Sequence, residues 1–204
     1  MESIVVLANG EFPVHEIPVK KLRNANRIVC CDGAVDYLVS LNIEPTVIVG
    51  DMDSISRQRK EIYKSKIVQV SDQDTNDLTK AVHWCINEGI TRIDILGATN
   101  KREDHTLGNI SLLADYTAKL KVEMHTNYGV FSAHFNSGKF DSHLGQQVSI
   151  FSLDPQTSVS SQNLKYALNN YKLDAWWKGT LNESLGDWFE LTFESGKLVV
   201  FRQY

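Results

Sequence analysis

Cysteine is scarce in this chain, and the three present, Cys30, Cys31 and Cys85, form neither a disulfide framework nor a zinc-binding spacing. They point to a reduced, intracellular protein. Glycine motifs that cradle phosphates are missing as well. There is no G-x-x-x-x-G-K-[ST] and no G-x-G-x-x-G, which excludes a P-loop and a dinucleotide fingerprint. Lysines and arginines are scattered and the formal charge is −4, so there is no basic stripe and nucleic acid is not an expected partner. No apolar run reaches membrane-spanning length, and the short apolar segment ending at Asn9-Gly10 lacks the basic flank and the length of a signal peptide. A cytoplasmic protein with no membrane partner is expected. With 204 residues, 42% hydrophobic and 23% charged, the chain is neither disordered nor fibrous, and it can form one large domain or two small ones.

What the chain does have is a series of short β-branched runs that stop at polar or acidic residues. Ile28-Val29-Cys30-Cys31 precedes Asp32, and Val47-Ile48-Val49 precedes Gly50-Asp51-Met52-Asp53-Ser54. Residues 67–70 precede Asp72-Gln73-Asp74-Thr75-Asn76-Asp77, and residues 93–96 precede Gly97. Through the first ~120 residues such runs alternate with segments of helical period, the pattern of βαβ units and a parallel sheet. The clearest helix is predicted over 77–88, where Leu78, Ala81, Val82, Cys85 and Ile86 recur at three and four. Thr75 or Asn76 is its N-cap, and Asp77 falls in the first turn, where the helix dipole favours an acid. A second helix is predicted over 104–119. Beyond Lys121 alternating strands are broken by Asn127-Tyr128-Gly129, Ser137-Gly138, Leu144-Gly145 and Ser195-Gly196. The expected fold is therefore α/β: a mostly parallel sheet flanked by helices over 1–122, then an all-β sandwich over 123–204.

In an open parallel sheet, ligands bind at the carboxyl ends of the strands, and that is where the acids lie. Two carboxylates about 4 Å apart repel by roughly 4 kcal/mol at an effective dielectric near 20. Several in one crevice raise one another's pKa or recruit a cation, and an oxygen-seeking ion such as Mg²⁺ usually arrives holding phosphates. Asp51 and Asp53, one residue apart after a strand, are placed to reach one cation, although an Asx turn would also explain Asp51 and Ser54. Asp74 and Asp77 exceed what one helix cap requires, whereas Asp72 is explained equally well as a cap. The segment from Gly97 through Lys101 and Arg102 to Asp104-His105 leads from a strand into a helix, where backbone N–H groups and the Arg102 fork suit a phosphate. A surface ion pair with Glu103 or Asp104 explains Arg102 equally well, and Lys101, His105 and Asn109 stay open. His15, His83, His125, His134 and His143 show no metal spacing, and Trp176, Trp177 and Trp188 fit a core or interface as readily as an aromatic ligand.

Taken together these motifs resemble the thiamine pyrophosphokinase family. The matching pieces are Cys31-Asp32-Gly33-Ala34, 50–54, 72–80, Gly97 through Arg102 to His105 and Asn109, then Leu164-Lys165-Tyr166 and Gly179-Thr180-Leu181-Asn182-Glu183, all in the family's order. The resemblance implies an α/β catalytic domain followed by a β-sandwich, transfer of the diphosphate of ATP to thiamine, and a homodimer with thiamine between the sandwich of one subunit and the catalytic domain of the other. By position, Asp51, Asp53 and Asp77 resemble the Mg²⁺ ligands. Asp32, Gln73, Asp74, Arg102, Asp104, His105 and Asn109 resemble residues around the nucleotide and the transferred phosphates, and Thr180 and Asn182 resemble thiamine contacts. Asn76, the long turn after Gly97 and Leu181 depart from the family pattern, the last where thiamine contacts are expected. Arg102 would then stabilise charge on the transferred group, and either Asp104 or Asp74 would handle the hydroxyl proton. Two other readings remain at this level: a Mg²⁺-dependent phosphohydrolase of the haloacid dehalogenase type, whose downstream Lys and acid pair are not found here, and a non-catalytic nucleotide or vitamin sensor.

Overall fold

The apolar runs of the amino-terminal half build one parallel sheet. The computed structural model describes residues 2–204. Its first strands are β1 (Ile4–Leu7), β2 (Arg27–Cys31), β3 (Val47–Gly50), β4 (Ile67–Gln69), β5 (Arg92–Leu96) and β6 (Lys121–His125). They lie side by side in the order β6-β5-β1-β2-β3-β4, every pairing parallel. Every residue of β1 and β3 is buried, as expected of strands covered on both faces. The connecting helices are α1 (Glu16–Arg23), α2 (Val35–Ser40), α3 (Arg57–Ile62), α4 (Asp77–Asn87) and α5 (Glu103–Thr117). Val5, Leu7, Ile28, Cys30 and Ile48 of the sheet share a core with Leu22 of α1 and with Val35 and Leu38 of α2. Helix α4 lies against β2 and β3 and buries Leu78, Ala81, Val82 and Cys85, the stripe expected from the sequence. Helix α1 carries no comparable stripe, since only Pro18 and Leu22 are buried.

This strand order decides where a ligand can sit. The chain runs outward from β1 through β2 and β3 to β4, then returns to the other side of β1 as β5. The reversal between β1 and β5 opens a crevice at their carboxyl ends, flanked by the loops after β1 and β5.

Charges are also paired within this unit. Asp94 of β5 stands opposite Glu123 of β6, Lys21 Nζ lies 2.9 Å from Asp94 Oδ2, and His125 Nε2 is 3.3 Å from Asp94 Oδ1 and 3.7 Å from Glu123 Oε2. Burial alone would raise the pKa of Asp94, but the bonds from His125 and Lys21 outweigh it and hold that carboxyl below its usual range. The nearby His125 imidazole does the same for Glu123. Because both acids are depressed in the folded state, their stabilisation is complete above the unfolded carboxylate pKa near 4 and is lost as pH falls through the lower folded values. Asp94→Asn is expected to cost about 2 kcal/mol in denaturant unfolding at neutral pH. The difference from the wild-type chain should shrink as the titration is repeated below about pH 4.

The remaining strands are antiparallel. They are β7 (Gly129–His134), β8 (Gly138–Asp141), β9 (Gln147–Ser152), β10 (Ser158–Gln162), β11 (Tyr171–Lys172), β12 (Asn182–Glu183), β13 (Trp188–Thr192) and β14 (Leu198–Gln203). One sheet has the order β12-β9-β14-β7 and the other β11-β10-β13-β8. Alternation along β9 turns Val148, Ile150 and Ser152 inward, and the pattern repeats in β13 with Phe189 and Leu191. Val148, Ile150, Leu198 and Val200 from the first sheet pack with Phe140, Val159, Phe189 and Leu191 from the second, and the Phe140 and Phe189 rings stack 4.8 Å apart. Two sheets over one shared core make the expected sandwich.

Two compact units divide the chain: one runs to Asn109 and includes Ala118–Asn127, and the other comprises Ile110–Thr117 with Tyr128–Tyr204. Strand β6 lies wholly in the first, so a boundary at 122/123, where the sequence texture changes, falls inside a strand paired with β5. Among the described residues, no helix is long and apolar enough to cross a membrane.

Candidate active site

A cavity of about 410 Å³ lies at the carboxyl ends of the parallel strands. Asn9 and Gly10 line it from the loop after β1, Cys31 from the end of β2, and Asp51 and Ser54 from the loop after β3. Gln73, Asp77 and Lys80 reach it from the start of α4, and Asn100, Lys101, Arg102, His105 and Asn109 from the β5 loop and α5.

The β3 loop is shaped to gather carboxylates. Met52 is buried in the left-handed region with φ 71°, a conformation that costs a non-glycine residue on the order of 1–2 kcal/mol. This reverses the chain between the two acids, and Asp53 N donates to Asp51 Oδ1 at 3.1 Å. Oxygens of Asp32, Asp51 and Asp53 all lie within 4.8 Å of one another. Asp32 is buried at 1% exposure, and its Oδ1 accepts from Gly33 N at 2.6 Å, while its Oδ2 is enclosed with no hydrogen-bond partner. A Cβ on residue 50 would sit 2.8 Å from Asp32 Cγ, which is why glycine stands there. Burial, and then the charge of Asp77, raises the Asp32 pKa. Three hard oxygen donors and one enclosed, unsatisfied carboxylate oxygen fit a divalent cation such as Mg²⁺.

The second wall is the start of α4. Asn76 is the N-cap, its Oδ1 accepting from Thr79 N at 2.8 Å, and Asp77 begins the helix. Lys80, one turn further, is buried. Its Nζ donates to Asp77 Oδ1 at 3.0 Å and to Asp51 Oδ2 at 3.3 Å, so it bridges the two loops' acids. Burial opposes its charge, but Asp77 and Asp51 outweigh that and raise its pKa. The Asp53 N–H, and then Lys80, holds the Asp51 carboxyl below its usual range. Asp72 instead closes a local turn, accepting from Asp74 N and from the Thr75 hydroxyl.

The third wall closes over β1. A Cβ on residue 10 would come within 2.4 Å of Gly97 O, so only glycine permits this approach of the β1 and β5 loops. Lys101 Nζ donates to Asn9 O at 2.9 Å and Asn9 Oδ1 at 3.1 Å. Arg102 grips Asp104 with two bonds, Nη2 to Oδ2 at 2.6 Å and Nε to Oδ1 at 3.1 Å. The pair is exposed. It lowers the pKa of Asp104 and raises that of Arg102. Asn109 Nδ2 donates to Ala98 O, and its Oδ1 accepts from Asn76 Nδ2, tying α5 to the N-cap of α4.

Residues 19–125 match the family model of the thiamin pyrophosphokinase catalytic domain, and residues 129–201 that of the thiamin pyrophosphokinase substrate-binding domain. The chain belongs to the thiamin pyrophosphokinase family. Its relatives include thiamin pyrophosphokinase 1 of Caenorhabditis elegans, 29% identical over 188 residues that cover 84% of this chain and 77% of the relative. Thiamine pyrophosphokinase of Bacillus subtilis is 39% identical over 80 residues, 37% of each chain. The fold is that of the Bacillus subtilis thiamine pyrophosphokinase crystal structure, with a TM-score of 0.82 at 23% identity over 99% of both chains. It is equally that of thiamin pyrophosphokinase from Candida albicans, with a TM-score of 0.80 at 20% identity over 98% of this chain and 89% of the other. The family's members are enzymes, and their activity is transfer of the diphosphate group of ATP to thiamine.

Against this thiamin pyrophosphokinase frame, Asp51, Gln73, Asp77, Arg102, His105 and Asn109 all line the one cavity, and Asp32 and Asp53 cluster with Asp51. Asp74 and Asp104 lie beside the lining rather than in it, Asp104 held by Arg102. Thr180 and Asn182 belong to the second unit. The Asn182 amide is engaged with Tyr166 and Glu183 backbone, and the Thr180 hydroxyl donates to Trp177 O at 2.8 Å. Leu181 between them is 73% exposed and left-handed at φ 58°. Lys80, Asn9 and Gly10 are cavity residues without a site assignment from sequence. The signal for the last two was the Asn-Gly turn closing the first strand.

Proposed function

We propose that this chain is a Mg²⁺-dependent thiamine diphosphokinase that binds ATP in the cavity at the β1/β5 reversal and transfers its terminal diphosphate to thiamine. The observation that carries this reading is the grouping of the strand-end acids and Arg102 around one cavity in a chain matched by both domains of the family. Asp51, Asp53 and Asp77 are the proposed Mg²⁺ ligands: Asp51 and Asp53 cluster with Asp32, and Asp77 is joined to Asp51 through Lys80. When bound, the metal supplies neutralisation of phosphate charge. The thiamine hydroxyl oxygen attacks the β-phosphorus and gives its proton to Asp104 or Asp74, the bond from that phosphorus to the α–β bridging oxygen breaks, and AMP departs with the electron pair. Such transfer asks the protein for positioning and charge stabilisation rather than covalent help. Gln73 lines the cavity, Asn109 orders its wall through Ala98 and Asn76, and His105 lies where it can face the nucleotide.

Among the described residues Arg102 is the one guanidinium lining the cavity, and its fork suits the transferred phosphoryl oxygens once it leaves Asp104. Thr180 and Asn182 are proposed to shape the thiamine side, with Asn182 acting through the backbone it fixes. A homodimer is favoured by exposed apolar side chains in the second unit, among them Trp177 at 71% and Leu181 at 73%. Action in the cytoplasm is favoured by three free, buried cysteines; burial raises the thiol pKa of Cys85 to about 12 and pushes Cys30 and Cys31 higher.

The test is incubation with Mg²⁺ and ATP, with and without thiamine. AMP release that requires thiamine is the expected result. Orthophosphate release without thiamine would favour the hydrolase instead, and thermal stabilisation by both ligands with no AMP would favour a sensor.

A further inference from the structure

Lys80 is a cation that the proposed chemistry does not use. Its side chain is 3% exposed, and its Nζ lies 3.0 Å from Asp77 Oδ1 and 3.3 Å from Asp51 Oδ2. Those acids are two of the three proposed metal ligands. A buried ammonium needs anionic partners, and here both come from the site itself. Its position is set from two directions: Asp77 stands one helical turn before it on α4, and Asp51 is delivered by the left-handed turn at Met52. Lys80 also lines the cavity together with both acids, so its ammonium borders the space available to phosphates. A carboxylate oxygen that holds an ammonium is a poorer ligand for a second cation, and two cations on the same carboxylates repel.

We propose that Lys80 is the resident counter-ion of the Asp51–Asp77 pair. It holds both acids while no nucleotide is bound, competes there with free Mg²⁺, and turns to phosphate oxygens when the metal arrives on ATP. The ammonium is a compact point charge suited to that exchange of one anionic partner for another. Lys80 is thus a positioning residue that couples metal entry to nucleotide entry. This rests on the metal assignment made above.

Calorimetric titration of Mg²⁺ into the nucleotide-free protein tests it. Lys80→Met keeps the apolar stem and removes the charge, and it is expected to bind free Mg²⁺ about tenfold more tightly or better, whereas Lys80→Arg should stay near the wild-type affinity. Unchanged or weaker binding in Lys80→Met overturns the proposal. Adding Asp53→Asn to Lys80→Met should abolish the gain. If tight binding survives that change, the metal assignment itself falls, and the proposal with it. Should Lys80→Met not fold, the wild-type protein gives the answer through the ammonium ¹⁵N resonance of Lys80. That resonance should shift with Mg²⁺ and the α,β-methylene analogue of ATP but not with Mg²⁺ alone. A resonance unmoved by the analogue overturns the proposal.

Discussion

Asp51→Asn is expected to lower turnover by about 10³-fold with little change in fold, because it removes one charge from the centre of the site without changing shape. Asp51 accepts the Asp53 N–H and the Lys80 ammonium at the same time, so it joins the β3 loop to α4. An asparagine keeps an oxygen for the Asp53 N–H but cannot neutralise Lys80 or serve as an anionic ligand. The loss should therefore fall on kcat, with unchanged far-UV circular dichroism. Added Mg²⁺ should recover part of it, because a weakened ligand set is filled at higher ion concentration. Near-normal turnover in this variant would remove Asp51 from the metal site.

Arg102→Ala is expected to lower kcat by about 10²-fold while leaving thermal stability close to that of the wild-type chain. Its guanidinium is 67% exposed and bonded only to Asp104, itself 63% exposed, so the folded state loses little. The loss falls on the transition state if the fork leaves Asp104 for the transferred phosphoryl oxygens. Lysine at this position should restore only part of the rate, because a point charge does not reproduce the two-bond geometry. Steady-state kinetics for alanine and lysine variants, measured beside their melting temperatures, checks both halves. A large drop in stability with kcat intact would place Arg102 in the scaffold instead.

The fold was legible where burial leaves a compositional mark. Parallel strands covered on both faces read as continuous β-branched runs, and α4 showed its stripe because one side meets β2 and β3 while the other meets water. Helix α1 left no such mark, because Pro18 and Leu22 alone carry its burial. The acids after β2 and β3 were legible for a similar reason, since a strand end at the crevice has few reasons to carry several carboxylates. Lys80 was not. A lysine on an amphipathic helix ordinarily lies in solvent, and only the β3 loop folding over α4 buries it. Asn9 and Gly10 gain their place from β1 lying between β5 and β2, and that strand order is a tertiary fact. Asp72 shows the opposite limit: its acid character looked like site chemistry or a helix cap, and it closes a turn with Asp74 and Thr75.

In the proposed reaction, one step moves both terminal phosphates of ATP to thiamine. ATP labelled with ³²P at the β position, or separately at the γ position, tests it directly in the presence of Mg²⁺ and thiamine. Both labels should appear together in thiamine diphosphate, with AMP unlabelled and formed in equal amount. Label from the γ position alone in a thiamine monophosphate, with ADP as the other product, would contradict the account, as would γ-label released as orthophosphate at the same rate without thiamine.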